Sequence, residues 1–402
     1  MKILIPFSYY HPEQCAGQFV VDDMTAEAAR QGIESVITVP TPTRNVAPGA
    51  KWDKEETLCD GKVLVHRFRM YGEGKNPVLR ALRYLFCEIV QLHYMLWKKY
   101  DVAFIDSTPP IQGLKLPIVW LFRKKPVVYN AQDLFPETLS GTGLAKQGGL
   151  LWKIGMWVSN VTFRNSDKII AISNDIKRSM VARGVPAEKI EVVYNWVDEK
   201  AVQPVAKEDN PLFKEFGLDR NKFTIVYAGN LGNAQNIGIV LDGAKELPEV
   251  QFAVFGSGGL ENEVRKRISD EGLTNVHLNP LQPVERVKYV YSLGDACIVS
   301  CKEGLGGSAM PSKSWSIMSC GRPVVASFDE GELKEILENN NCGVFSHAGN
   351  VKEFVSAIRQ MATNREKCEE MGKNARQFIL DNLTKEVGAK KYVDLIKSVV
   401  KK

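Results

Sequence analysis

Nowhere does the 402-residue chain hold the roughly 20 uninterrupted apolar residues that crossing a bilayer as a helix requires. The apolar segment from Met1 to Phe7 is too short for the core of a secretory signal and reads as a first strand, which makes the cytoplasm the expected location. The eight cysteines include no C-x-x-C pair and sit in mostly apolar surroundings, a pattern of reduced, buried thiols rather than disulfides or zinc ligands. A large excess of either charge is also missing. A net +5 from 52 basic and 47 acidic residues, mixed along the chain, excludes wholesale nucleic-acid binding. No G-x-x-x-x-G-K-[ST] spacing occurs, which disfavours nucleoside triphosphate hydrolysis. No Ser-His-Asp or Cys-His spacing demands a protein nucleophile. His11 stands alone in the loop after the first strand, where it could contact a ligand.

What is present is a rhythm. Short β-branched or aromatic runs alternate with longer amphipathic stretches, the signature of βαβ units and parallel sheets covered by helices. Seven strands are expected in the first half, at 3–6, 35–39, 63–68, 102–106, 127–131, 168–172 and 191–194. Six more follow at 223–227, 251–255, 276–279, 296–300, 323–326 and 342–345. Thirteen strands exceed an ordinary open sheet, and 402 residues exceed one core, so two α/β domains are expected. The rhythm breaks between Trp196 and Lys222, where Gln203-Pro204 and Asp209-Asn210-Pro211 punctuate the chain. The expected division is therefore 1–198, a linker at 199–222, a second domain at 223–382, and a last amphipathic helix at 383–402 with Val387, Tyr392, Leu395, Ile396 and Val399 near one face.

Three glycine-rich turns lie between an expected strand and an expected helix in the second half. They contain Gly229-Asn230-Leu231-Gly232, Gly256-Ser257-Gly258 and Gly304-Leu305-Gly306-Gly307-Ser308. Glycine allows close approach of backbone to ligand, and a following helix offers free N–H groups that suit a diphosphate. All three turns belong at the carboxyl edge of one sheet, where doubly wound folds bind ligands. The third runs into Pro311-Ser312-Lys313, a hydroxyl and an ammonium at a helix start, and Lys313 is the foremost candidate for holding phosphate oxygens.

These motifs together resemble a known family. Tyr227-Ala228-Gly229-Asn230-Leu231-Gly232, Gly256-Ser257-Gly258, Pro311-Ser312-Lys313 and Gly321-Arg322-Pro323-Val324 are similar to the donor domain of retaining GT-B glycosyltransferases of family four. The likeness is to the bacterial branch containing fucosamine transferases of surface-polysaccharide assembly, O-antigen and capsule included. Gln132-Asp133-Leu134-Phe135-Pro136-Glu137, Ala171-Ile172-Ser173 and Tyr194-Asn195-Trp196-Val197-Asp198 extend the resemblance through the first half.

The resemblance implies an α/β protein of GT-B architecture, two Rossmann-like domains facing across a cleft and closing about the segment from Trp196 to Pro204. It implies a retaining transferase that takes a sugar, an N-acetylated deoxy-hexose on UDP, to a polyprenyl-diphosphate-linked saccharide. It implies no cofactor and no metal, the nucleotide sugar being a substrate, and the chain holds no D-x-D spacing. Donor contacts fall on Gly17, Gly229, Asn230, Gly232, Gly256, Gly258, Ser308, Pro311, Ser312, Lys313 and Ser316. Catalytic candidates are Lys313 for the departing diphosphate, and Asp133, Glu137 and Glu303 as carboxylates near the sugar or acceptor. Two departures stand out. The family's glutamate pair falls at Ser308 and Ser316, so ribose is held differently here, and Asn230 and Gln235 replace basic residues near the first turn.

Basic and aromatic residues interleave from Arg67 to Tyr71, at Arg80 and Arg83 to Phe86, and from Leu96 to Tyr100, with Trp152, Trp157 and Phe163 as candidates to join them. This combination suits peripheral contact with the inner membrane, where a lipid-linked acceptor resides. The competing reading is a helix from Pro77 to Lys98 that buries its apolar face. Two other functions remain open on the sequence: a nucleotide-sugar epimerase of the same architecture, and a non-catalytic nucleotide-sugar-binding subunit.

Overall fold

A computed structural model describes the chain from residue 1 to 400 apart from 14, 16, 44, 45, 47, 48, 73–76, 138–145 and 309, and omits the side chains of Pro77 and Ser308. It divides into two compact units, Met1–Tyr194 with Glu386–Lys402, and Asn195–Lys385.

The first unit is built on an eight-stranded sheet, β1 (Lys2–Pro6), β2 (Glu34–Pro40), β3 (Glu55–Leu58), β4 (Val63–Phe68), β5 (Val102–Asp106), β6 (Val127–Ala131), β7 (Lys168–Ala171) and β8 (Ile190–Val192). Their spatial order is β3-β4-β2-β1-β5-β6-β7-β8. All pairs are parallel except β3 with β4. The strand order reverses between β1 and β5, which makes their carboxyl ends the natural ligand crevice of this unit. Helices α1 (Gln18–Arg30), α2 (Pro77–Trp97), α3 (Leu116–Arg123), α4 (Leu150–Arg164) and α5 (Asn174–Ala182) connect the strands. Ser173 caps α5, its side chain accepting the Ile176 N–H at 3.1 Å.

The second unit carries β9 (Thr224–Asn230), β10 (Gln251–Ser257), β11 (Val276–Asn279), β12 (Ala296–Ser300), β13 (Val324–Phe328) and β14 (Gly343–His347) in the order β11-β10-β9-β12-β13-β14. Every pair is parallel, and the reversal falls between β9 and β12. Its strands are buried on both faces, with Ile225, Tyr227, Phe252, Val254, Ile298 and Val325 in one apolar core.

All thirteen expected strands have counterparts here, and β3 is an addition. The expected linker at 199–222 differs from what is found. The units divide at Tyr194–Asn195, and 199–222 packs as part of the second unit. Its backbone polar groups find partners in side chains: Arg376 donates to the carbonyls of Glu199 (2.9 Å) and Val202 (3.3 Å), and Ser292 accepts from the Val205 N–H (3.0 Å). Leu212 and Phe213 are buried. The last helix, α6 (Lys385–Ser398), was expected to stand apart as 383–402 and instead joins the first unit from Glu386 onward. Its buried stripe is Gly388, Ala389, Tyr392, Val393 and Ile396, rotated from the expected one so that Val387, Leu395 and Val399 lie at its margin. All eight cysteines are free thiols and six are buried.

Candidate functional site

In the second unit the three glycine turns follow β9, β10 and β12, which are neighbours, so they share one carboxyl edge at the strand-order reversal. The first two turns interlock. Gly229 pairs with Gly256 and Asn230 with Ser257 across the sheet, the Leu231 N–H donates to the Ser257 carbonyl (2.8 Å), and the Leu260 N–H to the Leu231 carbonyl (2.9 Å). A β-carbon on Gly256 would lie 2.6 Å from the Gly229 carbonyl, and one on Gly258 would lie 2.5 Å from Asn230 Oδ1. These two glycines therefore have a packing role whatever else they do. Gly232 is similar, since its missing β-carbon leaves room for the Asn230 amide, which donates to Gln235 Oε1 at 3.2 Å.

Gly229 is different because its neighbour is a charge. Its φ is 143°, and a β-carbon there would come within 3.1 Å of Lys313 Nζ, a tight contact. That Nζ also lies 4.8 Å from the centre of the Tyr227 ring, a cation–π contact. Tyr227 is fixed in turn by donating its hydroxyl proton to the Asn230 carbonyl at 2.7 Å. Among the described residues no carboxylate or carbonyl pairs with the Lys313 ammonium. Burial of the ammonium pulls its pKa down to about 8, because leaving water disfavours the charged form. An unpaired, partly desolvated cation at a ligand crevice is a ready partner for an anion.

The third turn behaves otherwise than expected. The N–H groups of Gly304 and Gly306 donate to Asp329 Oδ1 (3.1 Å) and Oδ2 (2.7 Å), so a carboxylate from the end of β13 already satisfies the amides that the sequence suggested for phosphate. What remains here is Lys313, the first residue of the short helix Lys313–Ser319, with Ser312 exposed and Pro311 half-buried before it. Ser316 is half-buried one turn further on, Glu303 is exposed after β12, and the side chain of Ser308 lies outside the described residues. A cavity of about 420 Å³ at the opposite, amino edge of this sheet, lined by Lys207, Arg220, Phe223, Asp295 and Arg322, contains none of these groups.

In the first unit, Gly17 faces Asp106, the last residue of β5: a β-carbon there would come within 3.8 Å of Asp106 Oδ2. Asp106 is buried and accepts from Asn130 Nδ2 (2.9 Å) and from the Thr108 N–H (3.3 Å). Burial raises its pKa to about 7 despite these hydrogen bonds. Asn130 Oδ1 accepts in turn from the Tyr392 hydroxyl (3.0 Å) and from Gln132 Nε2 (3.0 Å). Sequence reasoning missed Asp106. The available signal was its place at the carboxyl end of a strand beside β1, where the loop carrying Gly17 must pass. Asp133 follows β6 at the same edge; burial raises its carboxyl pKa although the residue keeps solvent contact. Glu137 forms an ion pair with Arg183, which also donates to the Phe135 carbonyl at 2.9 Å. His11 is held by Asp22 at 2.8 Å, and this hydrogen bond raises its pKa.

Residues 17–201 match the family model Glycosyltransferase Family 4, and residues 208–378 match the model Glycosyl transferases group 1. The chain is 27% identical over 381 residues to WcaI of Escherichia coli K12, named for glycosyl transfer in colanic acid biosynthesis, covering 90% of this chain and 92% of WcaI. It is 23% identical over 249 residues to WbjE of Pseudomonas aeruginosa, named as a glycosyltransferase, covering 61% of this chain and 62% of WbjE. Among solved structures, Anabaena HepE in complex with UDP matches with a TM-score of 0.74 at 18% identity, over 99% of this chain and 100% of HepE. Sucrose-phosphate synthase from Thermosynechococcus elongatus matches with a TM-score of 0.78 at 14% identity, over 99% and 98% of the two chains. At these identities the solved structures speak for the fold, two Rossmann-like α/β domains with parallel sheets.

Proposed function

Residues 17–201 belong to Glycosyltransferase Family 4 and residues 208–378 to the Glycosyl transferases group 1, so the chain is a glycosyltransferase of the GT-B type, and from that premise we propose that it transfers a sugar, with retention of configuration, from a UDP-linked donor to a polyprenyl-diphosphate-linked saccharide in surface-polysaccharide assembly. A transferase assignment leaves the epimerase and binding-subunit readings unfavoured. The observation that carries the donor half is the unpaired ammonium of Lys313 against Gly229 at the edge where strand order reverses. The name of WcaI supports a polysaccharide product, the UDP held by HepE supports the nucleotide, and the resemblance to fucosamine transferases supports an N-acetylated deoxy-hexose.

Transfer leaves negative charge on a departing diphosphate, and stabilising it needs a preorganised positive group. Lys313 supplies that group in place of a metal ion, aided by the Gly229-Asn230 backbone and the Ser312 hydroxyl. Same-face attack needs no protein nucleophile. Asp133 is assigned to orienting the acceptor and Glu303 to the donor sugar, while Glu137, already bound to Arg183, holds its own loop.

A thermal-shift screen against UDP-, GDP- and dTDP-sugars tests the reading. A donor at ~100 times its dissociation constant stabilises the folded state by about 2.7 kcal/mol. UDP-sugars are expected to give that shift. A shift with GDP- or dTDP-sugars alone overturns the nucleotide, and no shift with any of them overturns donor binding.

A further inference from the structure

Helix α2 is built inside out. Its buried stripe is Arg83, Cys87, Glu88, Gln91 and Met95, while Leu79, Leu82, Leu85, Phe86 and Ile89 are about half exposed, between 49% and 56%. The inward polar groups are tied to one another and to the backbone, with Glu88 Oε1 alone of the Glu88 oxygens left without a partner. Lys115 Nζ donates to Glu88 Oε2 (2.5 Å) and Gln91 Oε1 (2.9 Å), Gln91 Nε2 donates to the Phe7 carbonyl (2.9 Å), and Arg83 donates to Thr43 Oγ1 (2.7 Å). With polar groups locked to the core, the apolar side can only face outward. A soluble surface helix normally does the opposite.

The neighbouring helices continue the pattern. The turn Pro110–Lys115 leading into α3 packs against both α2 and α4, and at its centre Gly113 lies directly under Thr162. On α3, Trp120, Leu121 and Phe122 are 60–70% exposed, and on α4, Leu150, Ile154 and Trp157 are 48–75% exposed. Of the 22 large hydrophobic side chains exposed among the described residues, 15 lie on these three helices of one unit. Monomeric soluble proteins rarely leave such contiguous apolar surface uncovered.

The charge on this face has one sign. Glu88 is the sole acidic residue within 77–97, 116–123 and 150–164, and it is buried against Lys115. Exposed cations flank the apolar residues: Arg80, Lys98, Lys99, Lys124, Lys153 and Arg164. No helix among the described residues is long and apolar enough to cross a membrane. Two details of the sequence reading change. Arg67, Phe68, Arg83 and Phe163 are buried and take no part, while α3, which that reading passed over, supplies the most exposed aromatic cluster.

We infer that the outer face of α2, α3 and α4 lies in the interface of an anionic lipid bilayer, with Phe86, Trp120, Phe122 and Trp157 at the headgroup and acyl boundary and the flanking lysines and arginines on the phosphates. A leaflet fits better than a protein partner because the apolar surface is spread over three helices whose only acidic residue, Glu88, is buried, and whose exposed charged residues are all cations. The inference deepens the lipid-linked acceptor reading by giving the enzyme a docking face, yet it rests on these helices and not on the donor site.

The test uses the full chain and vesicle flotation, with phosphatidylglycerol/phosphatidylethanolamine vesicles against phosphatidylcholine vesicles. The wild type is expected to float with the anionic vesicles at least tenfold more than with the neutral ones. A Leu82→Glu, Phe86→Glu, Trp120→Glu, Trp157→Glu variant is expected to lose at least tenfold of that binding while keeping its UDP thermal shift, which separates this inference from the donor reading. If the quadruple variant misfolds, Trp120→Phe and Trp157→Phe single variants replace it, with loss of the vesicle-induced tryptophan blue shift as the readout. Equal flotation of wild type and variant, or a lipid-free wild-type dimer that the variant dissolves, overturns the inference, the dimer pointing to a second copy as the occupant.

Discussion

The ammonium of Lys313 lies 3.1 Å from where a β-carbon on Gly229 would stand, a tight contact, so the lysine and the backbone turn are packed against each other. Replacing Gly229→Ala should therefore do two things. The positive φ of 143° becomes strained for a residue with a side chain, which costs about 1–3 kcal/mol of stability, and the Lys313 ammonium has to give way slightly. Urea midpoints should fall and the UDP thermal shift should shrink together; retention of both would mean that the glycine is dispensable.

Lys313→Ala should leave the free protein at least as stable, because a desolvated cation is removed. Its UDP affinity should fall by about 10- to 100-fold, the loss of one charge-assisted contact of roughly 1.5–3 kcal/mol. A pH dependence follows with a definite sign. The folded pKa of about 8 lies below the ordinary 10.5, so the unfolded chain binds more protons between those values and the stability of the free protein rises with pH across that window. UDP affinity should instead decline above pH 8 as the ammonium loses its proton. Calorimetric titration between pH 6.5 and 9.5 measures this, and a flat profile contradicts the role given to Lys313.

Asp329→Ala should unfold the third turn locally, since it strips the acceptor from the N–H groups of both Gly304 and Gly306. A loss of about 1–3 kcal/mol is expected from the stranded donors. Hydrogen exchange at those two amides is the direct measurement, and it should quicken in the variant while exchange in β9 stays slow.

Asp106 gives the first unit its own pH response. Its folded pKa of about 7 stands above the ordinary 3.8, so its stabilising contribution is fully present below the ordinary value and is lost as pH rises through 7. Asp106→Asn should flatten the decline in denaturant midpoint between pH 4 and 8. An unchanged slope would assign that decline to other groups.

Tyr392→Phe removes the hydroxyl that donates to Asn130 Oδ1 and should cost about 1 kcal/mol, read as a lower melting temperature of the first unit alone.

Much of this fold could be read from residue patterns because parallel strands buried on both faces write themselves as short apolar runs. Ile225, Val226 and Tyr227, or Phe252, Ala253 and Val254, leave little doubt about periodicity. β3 escaped because Glu55, Glu56 and Thr57 form an antiparallel edge with no apolar run. The supposed linker escaped for another reason: what holds 199–205 to the second unit is Arg376, a side chain about 170 residues away, and no local pattern announces it. The site divides in the same way. Glycine spacing pointed to Gly229 and a helix start pointed to Lys313, but their meeting is a tertiary fact, as is the capture of the third turn by Asp329. The inverted α2 shows the limit most clearly. An amphipathic stripe states that one side is apolar, and the partner Lys115 decides which side turns inward.

The return of α6 to the first unit has a consequence for how the protein is made. During synthesis the segment from Asn195 to Lys385 leaves the ribosome before Tyr392 does, so the second unit has all its parts while Asn130 and Phe104 still lack the helix that covers them. The earliest unit to begin is thus the last to be finished, and any chain interrupted shortly after Lys385 would pair a complete second unit with an unsealed first one.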